Sequence, residues 1–198
     1  FLRASDLGMS GENNEWKPVI QDKLSQQLLV PNGTMGQRWE EGKKWNLKLE
    51  TEDGTPIDPM LSMAESDYHV ETIQFPYFDS SGDGIFERPI ATRTIQLANG
   101  EKVKIATVYD LMTSQYGVQR FEHELEATSY DDASSKYTPA WQEQITGIKK
   151  ELVTKVAKEF AQNAIDTGGR SMIIMGAGIN HWFNSDTCLL YTSDAADE

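Results

Sequence analysis

Cysteine is almost absent from this 198-residue chain, whose one cysteine, Cys188, lies close to the end. Disulfides within the chain and metal sites built from several thiolates are therefore excluded. Basic residues are also few, with 18 Lys and Arg against 31 Asp and Glu and a net charge of −13 at pH 7. This acidic balance argues against nucleic acid as a partner, because phosphate binding depends on clustered Lys and Arg.

Long apolar stretches are missing too. No run approaches the roughly 18 to 20 residues of a membrane-spanning helix, so we expect no direct membrane insertion by these residues. The first residues do not match a signal peptide, because Arg3 and Asp6 interrupt any apolar region. Aromatic residues make up 10% of the chain, which argues against general disorder.

The last residues, 187–198, have no apolar period and no helix cap. The sequence from Cys188 to Glu198 resembles the translation of a transposon-based sequencing adapter. We therefore exclude residues 187–198 from the fold predictions, and with them the only possible cysteine nucleophile. A natural flexible terminus is the alternative interpretation.

Residues 1 to about 90 are rich in proline and glycine, which is typical of short strands and loops and permits few helices. Aromatic residues are scattered through this part. They indicate either a stacking or sugar-binding surface or, as we favour, anchors that hold an irregular segment on a larger body. These aromatic residues are Trp16, Trp39, Trp45, Phe75, Tyr77 and Phe78.

Regular structure is predicted from residue 92 onward. Thr92–Thr107 predicts a β-hairpin, because Asn99–Gly100 between two strand-like runs favours a turn with φ > 0 at both positions. Val108–Tyr116 predicts a helix that a glycine closes. A second helix opens at Thr138–Pro139, where threonine is a good N-cap and proline suits the first helical position. Lys149–Ala164 predicts a third, amphipathic helix, closed by a pair of glycines.

A short apolar run followed by a glycine turn is the main candidate site. Ser171–Met175 is apolar on both faces, which predicts a strand buried in a parallel sheet. Glycines at positions 176 and 178 allow a tight turn and close approach of the backbone to a ligand. Open α/β sheets bind ligands beyond the carboxyl ends of their strands. A plain turn is the alternative, since the third glycine of the dinucleotide fingerprint is missing. The candidate contacts are Gly176, Gly178, Asn180, His181 and Trp182.

Other candidate sites are weaker. Asp79–Gly84 superficially resembles a calcium loop, but Ile90 stands where the bidentate acid is needed, so a solvated loop is favoured. The three histidines are scattered and show no metal-ligand spacing, and His123 with its neighbouring glutamates is expected on a solvated face. Asp131–Asp132 is no evidence of acid–base catalysis in so acidic a chain.

Residues 1–186 resemble an internal segment of the alpha subunit of membrane-bound respiratory nitrate reductases. These enzymes belong to the molybdopterin oxidoreductases of the dimethyl sulfoxide reductase superfamily. The most specific matches are Ala127–Asp132 and Asn180–Trp182, whereas Tyr137–Pro139 recurs broadly in the superfamily. The other matching stretches, in family order, are Phe1–Leu7, Gly11–Trp16, Val30–Gly33, Lys44–Leu47, Phe75–Phe78, Leu97–Gly100, Thr107–Leu111, Tyr137–Gly147 and Gly169–Ile174. Lys149 departs from the family, where a helix-capping residue is common.

The resemblance implies a fold and a cofactor. It implies a mixed α/β chain, in which residues 1–107 form an irregular, β-rich segment. Residues 108–186 then form part of a doubly wound molybdopterin-binding domain. It also implies molybdenum held by two molybdopterin guanine dinucleotides and an aspartate, together with a 4Fe–4S cluster. The family's aspartate and cluster ligands lie upstream of Phe1, so the chain has no metal ligand to assign. The family's matching loop lines the molybdopterin cavity, which makes the five candidate contacts cofactor contacts.

The implied activity is reduction of nitrate to nitrite in anaerobic respiration, with this segment inactive alone. The implied partners are an iron–sulfur beta subunit and a haem-bearing membrane gamma subunit, at the cytoplasmic face of the cell membrane. A nitrite oxidoreductase alpha subunit, which runs the reverse reaction, is an alternative that these residues do not separate. A stand-alone module that binds a small polar ligand is the second alternative.

Overall fold

The computed structural model describes residues 1–32, 49–79, 82–127 and 129–174. The chain forms two compact units, residues 1–147 and 148–198, which are described separately below. The first unit begins with a 3₁₀ turn at Ala4–Leu7 and a small antiparallel pair, β1 (Ile20–Gln21) and β2 (Leu28–Leu29). A second 3₁₀ turn, Met63–Glu65, leads into the main sheet.

The main sheet has three antiparallel strands in the order β3 (His69–Asp79), β4 (Gly82–Gln96) and β5 (Lys102–Ile105). From Glu71 to Phe75 of β3, alternate residues are buried or half-buried, while the residues between them are exposed. This is the period of a strand with one face against the core. In β4 both faces are covered between residues 88 and 92, and Ile90 and Ala91 are 1% and 0% exposed.

The predicted hairpin at residues 92–107 is confirmed, but it forms only part of the three-stranded sheet. β4 begins at Gly82, and β3 was not predicted. Pro76 in β3 and Pro89 in β4 argue against strands in the sequence, since proline cannot donate a hydrogen bond within a sheet. The structure accommodates both prolines because β3 is an edge strand, and because β4 pairs with β5 only from Arg93 onward.

The turn of the hairpin differs from the predicted one. Gly100 has a φ of 89°, whereas Asn99 is not among the residues with positive φ. The Leu97 N–H donates to the Glu101 carbonyl at 2.8 Å, and the Gly100 N–H donates to the Leu97 carbonyl at 2.9 Å. This pattern is a three-residue loop, in which only the glycine needs the left-handed conformation. The expectation of positive φ at both positions was wrong.

Two predicted helices of the first unit are confirmed. They are α1 (Val108–Gln115) and α2 (Pro139–Thr146). The Thr107 and Thr138 side chains accept hydrogen bonds from backbone N–H groups in the first turns of α1 and α2. These bonds satisfy donors that a helix start otherwise leaves free. A glycine with a φ of 73° ends α2, as its position in the sequence indicates.

The second unit contains α3 (Lys150–Thr167), which is three residues longer at its end than predicted. Lys149 occupies the N-cap position and makes no side-chain capping bond, in line with its departure from the family. Among the residues that the structure describes, no helix is long and apolar enough to span a bilayer.

The strand predicted at Ser171–Met175 is not found where the structure describes it. Residues 171–174 are irregular, and Ile174 is 84% exposed; Met175 lies outside the described residues. The physical reason is that a buried parallel strand depends on neighbouring strands for its hydrogen bonds. Both described sheets are antiparallel and belong to the first unit. The mixed α/β class is confirmed, whereas the doubly wound arrangement remains a prediction.

Candidate functional site

The five candidate contacts, Gly176, Gly178, Asn180, His181 and Trp182, all lie outside the described residues. The structure describes the residues that precede them, up to residue 174. The Asn163 amide nitrogen at the end of α3 donates to Ser171 Oγ at 2.9 Å and to the Arg170 carbonyl at 3.2 Å. Ser171 Oγ donates in turn to the Phe160 carbonyl at 2.8 Å. These bonds tie the chain that precedes the glycine turn to the last turns of α3.

The other predicted candidates are not brought together. Of the calcium-like segment, Asp79 ends β3 and pairs with Gly82, which begins β4, while residues 80 and 81 lie outside the described residues. His69 begins β3, while His123 lies in the loop after α1 and accepts a hydrogen bond from the Leu125 N–H at 3.2 Å. Within the described ranges, no group of three or more side chains of His, Cys, Asp or Glu is placed to hold a metal ion.

Asp132 has a structural contact set. Its Oδ1 accepts hydrogen bonds from Ser134 Oγ at 2.6 Å and from the Ser134 N–H at 3.0 Å. The Ser134 hydroxyl is the larger cause of a pKa for the Asp132 carboxyl below its usual range. The Asp132 carbonyl accepts from the Thr138 hydroxyl at 2.7 Å, which links this turn to the start of α2. Asp132 therefore shapes the turn that leads into α2.

The centre of the first unit is a buried polar cluster that the sequence analysis missed. The Asp110 side chain, on α1, is 0% exposed. One carboxylate oxygen accepts from Ser62 Oγ at 2.6 Å and from Arg120 Nη1 at 2.7 Å. The other accepts from the Met63 N–H and from Thr107 Oγ1, both at 2.8 Å. This carboxylate joins the 3₁₀ turn, the start of α1 and the loop after α1.

Arg120 extends this cluster. Its Nη1 also donates to Thr113 Oγ1 at 2.9 Å, and its Nη2 donates to Ser62 Oγ. The guanidinium lies 5.3 Å from the ring centre of Phe121 and 5.6 Å from that of Tyr109. A buried carboxylate is stable only with such a complete set of partners. The cluster thus acts as a structural clamp, with all of its contacts inside the first unit.

A second buried acid holds the loop after α1. Glu126 is 8% exposed, which corrects the prediction that the glutamates around His123 all lie on a solvated face. Its carboxylate accepts from the backbone N–H groups of Arg120 at 2.9 Å, Phe121 at 3.1 Å and His123 at 3.0 Å. Backbone donors replace water for this carboxylate, so the loop can bury it. No sequence signal distinguishes Glu126 from the exposed Glu122 and Glu124.

Arg88 brings a positive charge into an aromatic cluster. It is 9% exposed, and burial lowers the pKa of its guanidinium. The guanidinium lies 4.9 Å from the Phe86 ring centre, and its Nε has no hydrogen-bond partner among the described residues. Phe86 lies 5.8 Å from Phe75 and 6.0 Å from Tyr137, centre to centre, and Tyr137 lies 5.4 Å from Trp141. Phe75 therefore packs within the main sheet, and the interpretation of the aromatic residues as anchors on a larger body stays a prediction.

The pH dependence of stability is expected to involve Asp22, whose side chain is 3% exposed. Its carboxylate accepts from the Ser25 hydroxyl and N–H, both at 2.6 Å, and from the Asp58 N–H at 2.8 Å. These bonds, the Ser25 hydroxyl first, lower its pKa from the ordinary 3.8. Because the folded-state pKa is the lower one, the stabilisation is complete above pH 3.8 and disappears as the pH falls through the folded-state pKa.

Asp22→Asn tests this expectation by urea unfolding at a series of pH values. The difference in unfolding free energy between the parent chain and Asp22→Asn should be largest above pH 3.8 and shrink in more acidic solution. Ser25→Ala removes one donor and should show the same trend with smaller amplitude. A difference that stays constant as the pH falls through this range would contradict the assignment.

Comparison with known proteins shows which proteins the chain resembles. No protein-family model matches it. It is 51% identical over 188 residues to the nitrate reductase alpha chain of Bacillus subtilis (strain 168), covering 94% of this chain and 15% of that protein. It is 41% identical over 200 residues to the respiratory nitrate reductase 1 alpha chain of Escherichia coli (strain K12), covering 94% and 16%. It is 42% identical over 194 residues to a nitrate reductase alpha subunit of Mycobacterium tuberculosis, covering 94% and 15%.

These identities show that the chain is homologous to one segment of the nitrate reductase alpha chains, and the resemblance seen in the sequence is confirmed. The chain spans only about 15% of the length of the relatives it matches.

Proposed function

We propose that this chain is one segment of the catalytic alpha chain of a molybdenum-dependent nitrate reductase, which reduces nitrate to nitrite in anaerobic respiration. The single observation that carries this proposal is the 51% identity over 94% of the chain to the Bacillus subtilis alpha chain. The match runs through nearly the whole chain, so it includes the irregular first part as well as the helices.

The cofactor in this proposal is molybdenum bis(molybdopterin guanine dinucleotide), accompanied by a 4Fe–4S cluster held by residues outside this chain. When bound, the molybdenum centre supplies the two-electron chemistry. The donor set of the candidate loop suits a pterin. Asn180 and His181 carry both donors and acceptors for the polar edge of the ring, and Gly176 and Gly178 let the backbone approach closely. For Trp182 the proposed role is to pack against the ring or to fill the adjoining core.

The described residues support that role by positioning. Asn163 and Ser171 tie the chain at residue 171, five residues before Gly176, to α3, which supports a positioning role for these two residues. A cofactor contact needs this kind of support, because a binding group is only as well placed as the residues that hold it. The contribution of this chain is therefore to bind and orient part of the cofactor.

The proposed partners are an iron–sulfur beta subunit and a haem-bearing membrane gamma subunit. The relatives are named as alpha chains, which supports a multi-subunit complex. In this proposal electrons reach the molybdenum through those subunits, and the alpha chain lies at the cytoplasmic face of the membrane through its partners. The acidic balance of this segment supports neither a nucleic-acid partner nor direct contact with anionic lipid.

The isolated 198-residue chain is expected to have no nitrate reductase activity, even with molybdenum cofactor supplied. The reason is that the metal ligand, the cluster ligands and most of the cofactor cavity belong to the rest of the protein. Nitrite formation with reduced viologen as electron donor is the measurement, and heat-killed protein is the control. Turnover above that control would show that the segment is a complete enzyme.

The function itself is tested on the full-length alpha chain that carries this segment. Purified with its partner subunits, it should oxidise reduced viologen with nitrate and release nitrite. The same preparation should be assayed for nitrite oxidation with an artificial acceptor, because the alternative is a nitrite oxidoreductase. A preparation that binds molybdenum and only oxidises nitrite would overturn the proposed direction.

A further inference from the structure

Helix α1 buries its polar residues and exposes most of its apolar ones. At 3.6 residues per turn, its polar residues Asp110, Thr113 and Ser114 fall on one side, and all three are buried. The opposite side also carries Gln115, which is half-buried, but its other residues are apolar or aromatic and each of them is at least 36% exposed. A surface helix ordinarily shows the reverse arrangement. We call this exposed side the α1 apolar face; it consists of Val108, Tyr109, Leu111, Met112 and Tyr116.

Hydrogen bonds fix this orientation. Ser114 Oγ donates to the Pro89 carbonyl of β4 at 2.7 Å. Thr113 Oγ1 donates to the Tyr109 carbonyl at 2.9 Å and accepts from Arg120 at 2.9 Å. Asp110 is the centre of the buried cluster. If α1 were rotated so that its apolar side faced the core, one carboxylate and two hydroxyls would lose these hydrogen-bond partners. The folded state would then be strongly destabilised. The exposed apolar face is thus a consequence of the fold.

The exposed apolar surface continues beyond the helix. Val118, just after α1, is 48% exposed, and Leu61 is 62% exposed. Leu61 lies next to the start of the helix, since its carbonyl oxygen is 2.6 Å from Thr107 Oγ1. A contiguous apolar surface of this kind marks an interaction site. Methionine and tyrosine, both present on the face, are enriched at the centres of interfaces.

We propose that the α1 apolar face is a docking surface for an apolar surface of the same, longer polypeptide, contributed by residues outside this segment. The proposal rests on the proposed function, in which this chain is part of a full alpha chain. The length of the relatives supports this occupant, because the chain spans only 15% of the Bacillus subtilis alpha chain. Most of the polypeptide therefore lies outside the segment and is covalently held close to it, which raises its effective concentration.

The charges of this chain favour an apolar part of the same polypeptide over a second copy of the segment as the occupant of the face. Asp110 is the only Asp, Glu, Lys or Arg in α1, and it lies on the buried side, so the face itself is free of charge. Its occupant is recognised by apolar burial rather than by ion pairs. A second copy of this segment is disfavoured, because each copy carries a net charge of −13 and two copies repel.

Methionine oxidation tests the proposal in the full-length alpha chain that carries this segment. Hydrogen peroxide oxidises methionine according to its exposure, and mass spectrometry measures each site. Met112 should oxidise about tenfold more slowly in the native full-length chain than in the same chain unfolded in urea. Met60 and Met63, which are buried within the segment, report that the fold is intact. Protected Met60 and Met63 with Met112 oxidised at the unfolded rate would overturn the proposal.

Two controls identify the occupant. Protection of Met112 that is lost on dilution would indicate a second copy, and protection that appears only with the partner subunits would indicate another subunit. Either result contradicts the proposal. Leu111→Lys should bring Met112 oxidation to within about twofold of the unfolded rate while Met60 stays protected. Ile85→Lys is the matched control, since Ile85 is 71% exposed on β4 and lies four residues before Pro89, which Ser114 of α1 contacts, and it should leave Met112 protected.

The same preparations separate this proposal from the proposed function. Nitrate-dependent oxidation of reduced viologen reports the function, and Met112 protection reports the docking. Protected Met112 in a chain that does not reduce nitrate would contradict the function alone. Nitrate reduction with Met112 freely oxidised and Met60 protected would contradict the docking alone.

Discussion

Arg120→Ala is expected to destabilise the first unit by about 3 kcal/mol. Its guanidinium lies 2.7 Å from the carboxylate of Asp110, which is 0% exposed. Removing the cation leaves a buried negative charge without its ionic partner, and the remaining donors are Ser62, Thr107 and the Met63 N–H. The estimate is at the lower end for a buried pair because the Arg120 side chain is 17% exposed.

Urea unfolding of the 198-residue chain measures the effect of Arg120→Ala. Lys104→Ala is the matched control, because Lys104 forms an exposed ion pair with Glu71 at 2.6 Å and its loss should cost less than about 1 kcal/mol. The double variant Asp110→Asn/Arg120→Ala should be less destabilised than the sum of the single changes, because the two side chains interact directly. An Arg120→Ala chain as stable as Lys104→Ala would mean that the cluster is not a clamp.

Gly178→Val in a full-length alpha chain is expected to abolish most molybdenum binding. On the proposed cofactor contact, a valine side chain at position 178 would occupy the space through which the backbone approaches the pterin, and a packed cavity would not absorb that volume. Bound molybdenum per subunit is the measurement. Lys158→Ala, on the exposed side of α3, is the control and should leave the molybdenum content unchanged.

His181→Ala is the cleaner companion to Gly178→Val. Glycine at position 178 also serves a tight turn if φ is positive there, so Gly178→Val has a second route to failure through misfolding. His181→Ala removes a hydrogen-bonding group without forcing the backbone, and we expect about two- to tenfold weaker cofactor retention. Unchanged molybdenum content and turnover in a correctly folded His181→Ala protein would remove His181 from the site.

Local chemistry made the helices and the hairpin predictable from the sequence. Thr107 and Thr138 cap their helices with their own side chains, and Gly147 ends α2 in the left-handed conformation. These features need no knowledge of the rest of the chain, because the residues that interact are neighbours in sequence. The β4–β5 hairpin at Gly100 is predictable for the same reason.

Features that depend on distant residues could not be predicted in this way. Asp110 and Ser62 are far apart in sequence, and nothing local marks either of them as buried. Pro89 predicts a break in a strand. Among the described residues, however, β4 pairs only with β3 at this position, so the missing N–H of the proline costs no second ladder bond. The segment at residues 171–174 shows the opposite error, since its apolar pattern predicts a strand whose partners are not among the described residues. In each case the deciding contact is a tertiary one.

A segment exchange tests most directly whether this chain is a working part of a nitrate reductase. Residues 1–186 replace the matching segment of the Bacillus subtilis alpha chain, to which the chain is 51% identical. We expect a chimera that assembles, binds molybdenum and reduces nitrate with a turnover within about tenfold of the parent enzyme. A chimera that assembles and binds molybdenum at the parental level but forms no nitrite from nitrate would contradict this expectation.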